Sequence, residues 1–195
     1  NIKTSVIEKK EISPVSLMPP GLTASLRKDE FIDLMSFLSA LGKEGGYKVP
    51  PGRVVRRWRT LPKDSKTSGL IKTKGIQYTL NGKNNLPWKP VYSFVDGGLP
   101  LAEMGINNGF NNRLSIAKFE IEVSIPGKIG IRIKNPEGLQ LLTGGEMIEA
   151  KKNSSFTFSQ GRHEIYVIVD NDICESHLFI EIVDVDGSQG AAELV

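Results

Sequence analysis

Cysteine, histidine and long apolar runs are what this sequence has least of. One cysteine, Cys174, and two histidines, His163 and His177, occur among 195 residues. A single thiol cannot close an internal disulfide, and two imidazoles cannot build a multi-histidine metal site. Cys174 sits in an apolar-polar run and reads as a small buried or half-buried thiol rather than a nucleophile. No apolar run approaches the roughly 18 residues that a membrane-crossing helix needs. The N-terminus has no basic segment leading into an apolar core, so no signal peptide is read there. No Ser-His-Asp, Cys-His or paired-carboxylate arrangement can be argued from the residues, so the chain is expected to have no enzymatic activity of its own.

The composition is that of a folding chain. Hydrophobic residues make up 39%, and 20 Gly with 11 Pro stay short of a low-complexity composition. The formal net charge is +3, and the length suits one or two domains. Because the first residue is Asn1, a processed chain or an excised fragment is expected.

Three textures follow one another. In residues 1–45, Phe31, Leu34, Met35, Leu38 and Leu41 recur at spacings of three and four, which predicts one amphipathic helix from about Lys28 to Leu41, stopped by Gly42. Asp29 and Glu30 suit its first turn, although Arg27 is a poor N-cap and Ser25 is the alternative one turn earlier. Residues 46–75 hold nine basic residues against the single acid Asp64 and are expected to be a basic, solvated linker. Such a stretch could contact phosphate, an acidic partner or an anionic surface. Trp58 stands alone among the arginines without an aromatic ladder, so nucleic acid is not expected as a partner.

From residue 76 the period becomes two. Phe119, Ile121 and Val123 alternate with Lys118, Glu120 and Glu122, and Ile129, Ile131 and Ile133 with Gly130, Arg132 and Lys134, joined by the turn dipeptide Pro126-Gly127. Leu139–Leu142, Phe156–Phe158, Glu164–Val169 and Leu178–Val183 add strands, separated by Gly144-Gly145, Gln160-Gly161 and Asp170-Asn171-Asp172. Strand-turn spacing of about ten residues signals an antiparallel β-sandwich over 76–195 in a mainly β chain with a short N-terminal helical segment. His163 opens a strand and reads as a structural, hydrogen-bonded residue. Asp170, Asn171 and Asp172 read as an Asx-rich turn rather than calcium ligands.

The string Ser16-Leu17-Met18-Pro19-Pro20-Gly21-Leu22, followed by a helix containing Asp33-Leu34-Met35-Ser36-Phe37-Leu38, resembles the C-terminal end of the haem-binding, c-type-cytochrome-like domain of large multidomain planctomycete and Bacteroidetes-type proteins. The match covers about a quarter of the chain. By this resemblance residues 1–45 are the C-terminal remnant of such a domain, and Met18 is the axial haem ligand, a thioether that raises the potential of a His/Met haem. The competing reading makes Met18 an apolar anchor in front of the helix. Covalent attachment needs Cys-x-x-Cys-His, which this sequence lacks. Haem c is therefore expected only in a longer parent protein carrying that motif upstream, and none in this chain.

Gly127–Ile133, Leu139–Gly145 and Gln160–Val167 resemble, more weakly, PA14-like and carbohydrate-binding sandwich modules. The resemblance implies a periplasmic or extracellular electron-transfer protein, with upstream cytochrome and dehydrogenase domains as partners and the sandwich as accessory module. The alternatives are a glycan or cell-surface binding module with no haem role and a purely structural spacer. Trp58, Trp88 and Tyr92 are the platform candidates for a glycan, although core burial is the expectation for each aromatic taken singly.

Overall fold

The computed structural model describes residues 11, 21, 26–45, 47–81, 84–109, 113–174 and 177–195. The chain divides into two compact units, Asn1–Leu41 and Gly42–Val195. Met18 lies outside the described residues.

In the first unit the predicted helix is present as α1, Lys28–Ala40. Its weak cap is compensated locally: the Arg27 backbone N–H donates to Glu30 Oε2 at 2.9 Å, and the Arg27 guanidinium lies 3.1 Å from Asp29 and 3.4 Å from Glu30. None of its residues is buried, and Phe31, Leu34, Met35 and Leu38 are exposed.

The second unit is mainly β, built from two antiparallel sheets with a few short helices. The small sheet has the order β1 (Arg53–Val54), β11 (Ile180–Val183), β6 (Gly127–Ile133), β9 (Asn153–Phe158). The large sheet runs β3 (Lys89–Tyr92), β2 (Arg57–Thr60), β5 (Arg113–Ile125), β10 (Gly161–Asp170), β7 (Leu139–Thr143), β8 (Glu146–Glu149). The long strand β5 organises it. One edge of β5 pairs with β10 from Leu114 to Val123. Its other edge takes β4 (Ile106–Asn108) at Arg113–Ser115, β2 at Ala117 and Lys118, and β12 (Ala191–Leu194) between Ile121 and Ile125.

Two turn sites read from the sequence behave differently. Gly144 and Gly145, at φ 58° and 85°, form the two-residue loop of the β7–β8 hairpin, where both central residues need positive φ. Pro126-Gly127 joins no hairpin. It carries the chain from β5 in the large sheet to β6 in the small one, and a Cβ at Gly127 would sit 2.8 Å from the Gly190 backbone. Only glycine fits that crossing.

The sheets bury Trp58, Phe119, Ile121, Ile131, Ile165, Val167, Leu178 and Ile182 between them. The opposite, outer face of the large sheet is covered over part of its area. Leu114, Ile116, Leu142 and Ile168 pack there against Leu61, Ile71 of α2 (Ser65–Lys74) and Leu80 of α3 (Ile76–Asn81). Helix α2 starts where Asp64 Oδ2 accepts from the Thr67 N–H at 2.7 Å, and that bond with the Thr67 hydroxyl bond holds the Asp64 carboxyl below its ordinary range.

The basic stretch 46–75 is thus no linker. It supplies β1 to one sheet and β2 to the other, and then α2. Its arginines obscured the pattern: Trp58 and Thr60 are buried while Arg57 and Arg59, alternating with them, are exposed, which is the period of a half-buried strand. Arg53 and Arg56 are structural, the first 2.5 Å from Asp184 and the second donating to the Val95 carbonyl at 2.7 Å. Residues 76–81, placed with the strands by the sequence, form α3.

Candidate functional site

Alternation along β2, β5 and β10 throws every second side chain onto the outer face of the large sheet. The register aligns Arg57 with Tyr92 and Arg59 with Pro90 on β3, and Arg59 with Lys118 on β5. Further across, Lys118 faces Tyr166, Glu120 faces Glu164 and Glu122 faces Arg162. The helices cover the Leu114 and Ile116 end of this face. Beyond Lys118 they leave an open, shallow cavity of about 300 Å³ lined by Arg57, Arg59, Pro90, Tyr92, Glu120 and Arg162.

At its boundary Lys118 is only 8% exposed. Its Nζ pairs with Glu164 Oε1 and stands 4.9 Å from the ring centre of Trp88 and 5.7 Å from that of Tyr166. The Trp88 and Tyr166 rings lie 5.9 Å apart. A cation over two aromatic rings is attracted by their negative faces, and the carboxylate on its other side completes its pairing. Burial pushes the Glu164 carboxyl up, but hydrogen bonds from Lys118 and Tyr166, with the charges of Lys118 and Arg59, outweigh it and leave Glu164 below its ordinary range. The Tyr166 phenol is pushed up by burial and by donating to Glu164.

The remaining charges divide sharply. Arg162 is held by Glu122 at 3.4 Å and Glu120 at 3.8 Å. Among the described residues Arg57 has no side-chain hydrogen bond or ion pair, and Arg59 has only its longer-range attraction to Glu164. Tyr92 beside them is 66% exposed. No buried side-chain nitrogen or oxygen among the described residues is left without a partner. The other described arginines all hold a hydrogen bond or ion pair, so the two unpaired guanidiniums of this patch, beside an open phenol ring, stand out.

The glycan-platform residues read from the sequence are not brought together. Trp58 belongs to the interior, 2% exposed, with its indole N–H donating to Ser93 Oγ at 2.9 Å and its ring edge-on to Phe119 at 5.3 Å. Trp88 is half-buried under Lys118, and Tyr92 alone is open. Arg57 and Arg59 were visible in the sequence only as members of a charge run; their alternation with Trp58 and Thr60 was the signal that would have placed them on one face.

The histidines, the cysteine and the Asx turn read from the sequence have structural surroundings. His163 Nε2 lies 2.8 Å from the Ser159 carbonyl and its ring packs on Phe158. His177 packs on Phe94, and Cys174 is buried in the core between the sheets. In the 170–172 turn, Asp170 Oδ1 accepts from the Asp172 N–H at 3.0 Å and Asp172 Oδ1 accepts from Arg113 Nε at 2.8 Å, which keeps the Asp172 carboxyl below its ordinary range. Among the described residues no group of three or more His, Cys, Asp and Glu could hold a metal ion, and no helix is long and apolar enough to cross a membrane. Comparison of the chain with models of known protein families, with curated proteins and with solved structures finds no match in any of the three.

Proposed function

We propose that residues Gly42–Val195 form a non-catalytic accessory binding module, whose ligand lies on the open outer face of the large sheet against Arg57, Arg59 and Tyr92. One observation carries the reading: two guanidiniums and an aromatic ring share one strand pair, exposed and with no side-chain hydrogen bond or ion pair. Exposed aromatic and arginine side chains are the groups that contribute most at binding surfaces, because each supplies large contact area with few rotors or a forked set of donors. Affinity electrophoresis of the whole chain through gels containing a panel of soluble polysaccharides tests it. Retardation by at least one polymer, lost in Tyr92→Ala with Arg57→Ala, is the expected result; mobility unchanged in every gel would overturn it.

For the Ser16–Leu22 string we retain the haem reading, supported by the resemblance of that string and the helix after it. The module then belongs to a periplasmic or extracellular electron-transfer protein, and Met18 supplies the sixth ligand to a haem attached upstream. In such a longer protein, Met18→Ala should abolish the sulfur-to-iron charge-transfer absorption of the oxidised state. Survival of that absorption would rule Met18 out.

A further inference from the structure

The unpaired cations of the open patch also specify what kind of ligand it takes. We infer that the patch binds a carboxylate-bearing polysaccharide, lying across β2 and β3 with sugar rings on Tyr92 and Pro90 and carboxylates on Arg57 and Arg59. This rests on the binding-module reading and narrows it to a substrate class.

The argument begins with spacing. Arg57 and Arg59 are two residues apart on one strand, so their stems rise from the same face about 7 Å apart. Tyr92 and Pro90 stand beside them in register on the neighbouring strand, about 5 Å away. The result is a two-step ledge of apolar rings flanked by two forked donors. A guanidinium binds a carboxylate through two parallel N–H···O bonds, and a phenol ring accepts the apolar C–H face of a sugar.

The surrounding charges are compatible with that ligand. Glu120 and Glu122 are engaged by Arg162, and Glu164 by Lys118, while Glu193, aligned with Glu122 on β12, is exposed without an ion pair. A nucleic acid fits this face less well: duplex phosphates form a denser line of charge than two guanidiniums match, and single strands need a series of stacking rings, where this face offers one open ring. An acidic peptide adding to the sheet meets a different obstacle. Strand β3 is the edge of the large sheet, and Pro90 removes an N–H from its short backbone ladder. Recognition through side chains on the face remains open; main-chain pairing along the edge is blunted.

The test uses the full chain with polygalacturonate, the same polymer methyl-esterified on its carboxyls, a neutral xylan, polyglutamate and duplex DNA, measured by titration calorimetry at low and moderate salt. Tightest binding to polygalacturonate is expected, weakened about tenfold or more by esterification, by Arg57→Ala and by Arg59→Ala, and weakened by added salt. Tyr92→Ala should lower affinity for the charged and the esterified polymer by the same factor, because it removes the sugar-ring contact and leaves the ionic one. Equal affinity for esterified and free polymer, or preference for xylan, would overturn the carboxylate inference while leaving the binding module standing. Tighter binding of DNA or polyglutamate would likewise overturn it. Failure of every polymer to bind would overturn both.

Discussion

The two faces of the large sheet are made from the same strands yet follow different rules. On the inner face Trp58, Phe119, Ile121, Ile165 and Val167 meet the small sheet, and the polar residues among them, Thr60 and Ser115, are small and buried. On the outer face Leu114 and Ile116 are covered by α2, α3 and Leu61 just after β2, whereas Glu120 and Glu122, a few residues further along β5, line or border the open ground. Lys118 marks the boundary, buried enough to need its carboxylate and its rings. A single strand thus passes from burial on both faces to burial on one, and the transition positions the unpaired arginines of β2. The inner face stabilises the unit; the outer face is where it is free to differ.

Substitutions can break this comparison, beginning with the largest expected effect. Ile121→Ala empties a fully buried inner position and should cost about 4 kcal/mol in urea unfolding. Leu80→Ala, under the thinner helical cover of the outer face, should cost about 2 kcal/mol, because a two-turn helix can settle into the space. If Leu80→Ala proved the more costly of the two, the outer cover and not the inter-sheet core would be the main source of stability.

Lys118→Ala should cost about 1 kcal/mol, since the Glu164 it abandons is partly exposed and water replaces much of the lost pairing. The same pair sets a pH dependence. Folding lowers the Glu164 pKa from its ordinary 4.5, so its contribution is complete above that value and is lost as the pH falls through the lower, folded-state value. The unfolding free energy measured against pH should show this acid-side loss in the natural protein, and a smaller one in Glu164→Gln. The smallest effect belongs to the open ground: Arg57→Ala and Tyr92→Ala should each leave stability unchanged within about 0.5 kcal/mol, measured by thermal melting. A large destabilisation by either would make those residues part of the framework and sharpen the boundary at Lys118.

Much of the fold was legible because burial on one face imposes a period. The alternations at Phe119–Val123 and Ile129–Ile133 correspond to β5 and β6, and the helix over Lys28–Leu41 ends one residue earlier than its pattern. Strands flanked by arginines escaped, since the charge of Arg57 and Arg59 outweighed the buried alternation of Trp58 and Thr60. Short strands such as β4 and β12 escaped as well: three or four residues carry too little pattern to be recognised before a partner strand selects them. The site was legible only in Tyr92. Its two arginines are unremarkable in sequence, and their freedom from partners is a property of what lies opposite them.

The sequence by itself determined the β character of the C-terminal part, the amphipathic α1, and the positions of the Gly144-Gly145 and Pro126-Gly127 turns, because side-chain periodicity and glycine stereochemistry are local. Only the tertiary structure decided that the first turn closes a hairpin while the second crosses between sheets, that Trp58 is interior while Tyr92 is exposed, and that residues 53–60 serve both sheets. These depend on which strand lies beside which, and strand pairing is fixed by hydrogen bonds and shared apolar area between residues far apart in the chain, information that no local window carries.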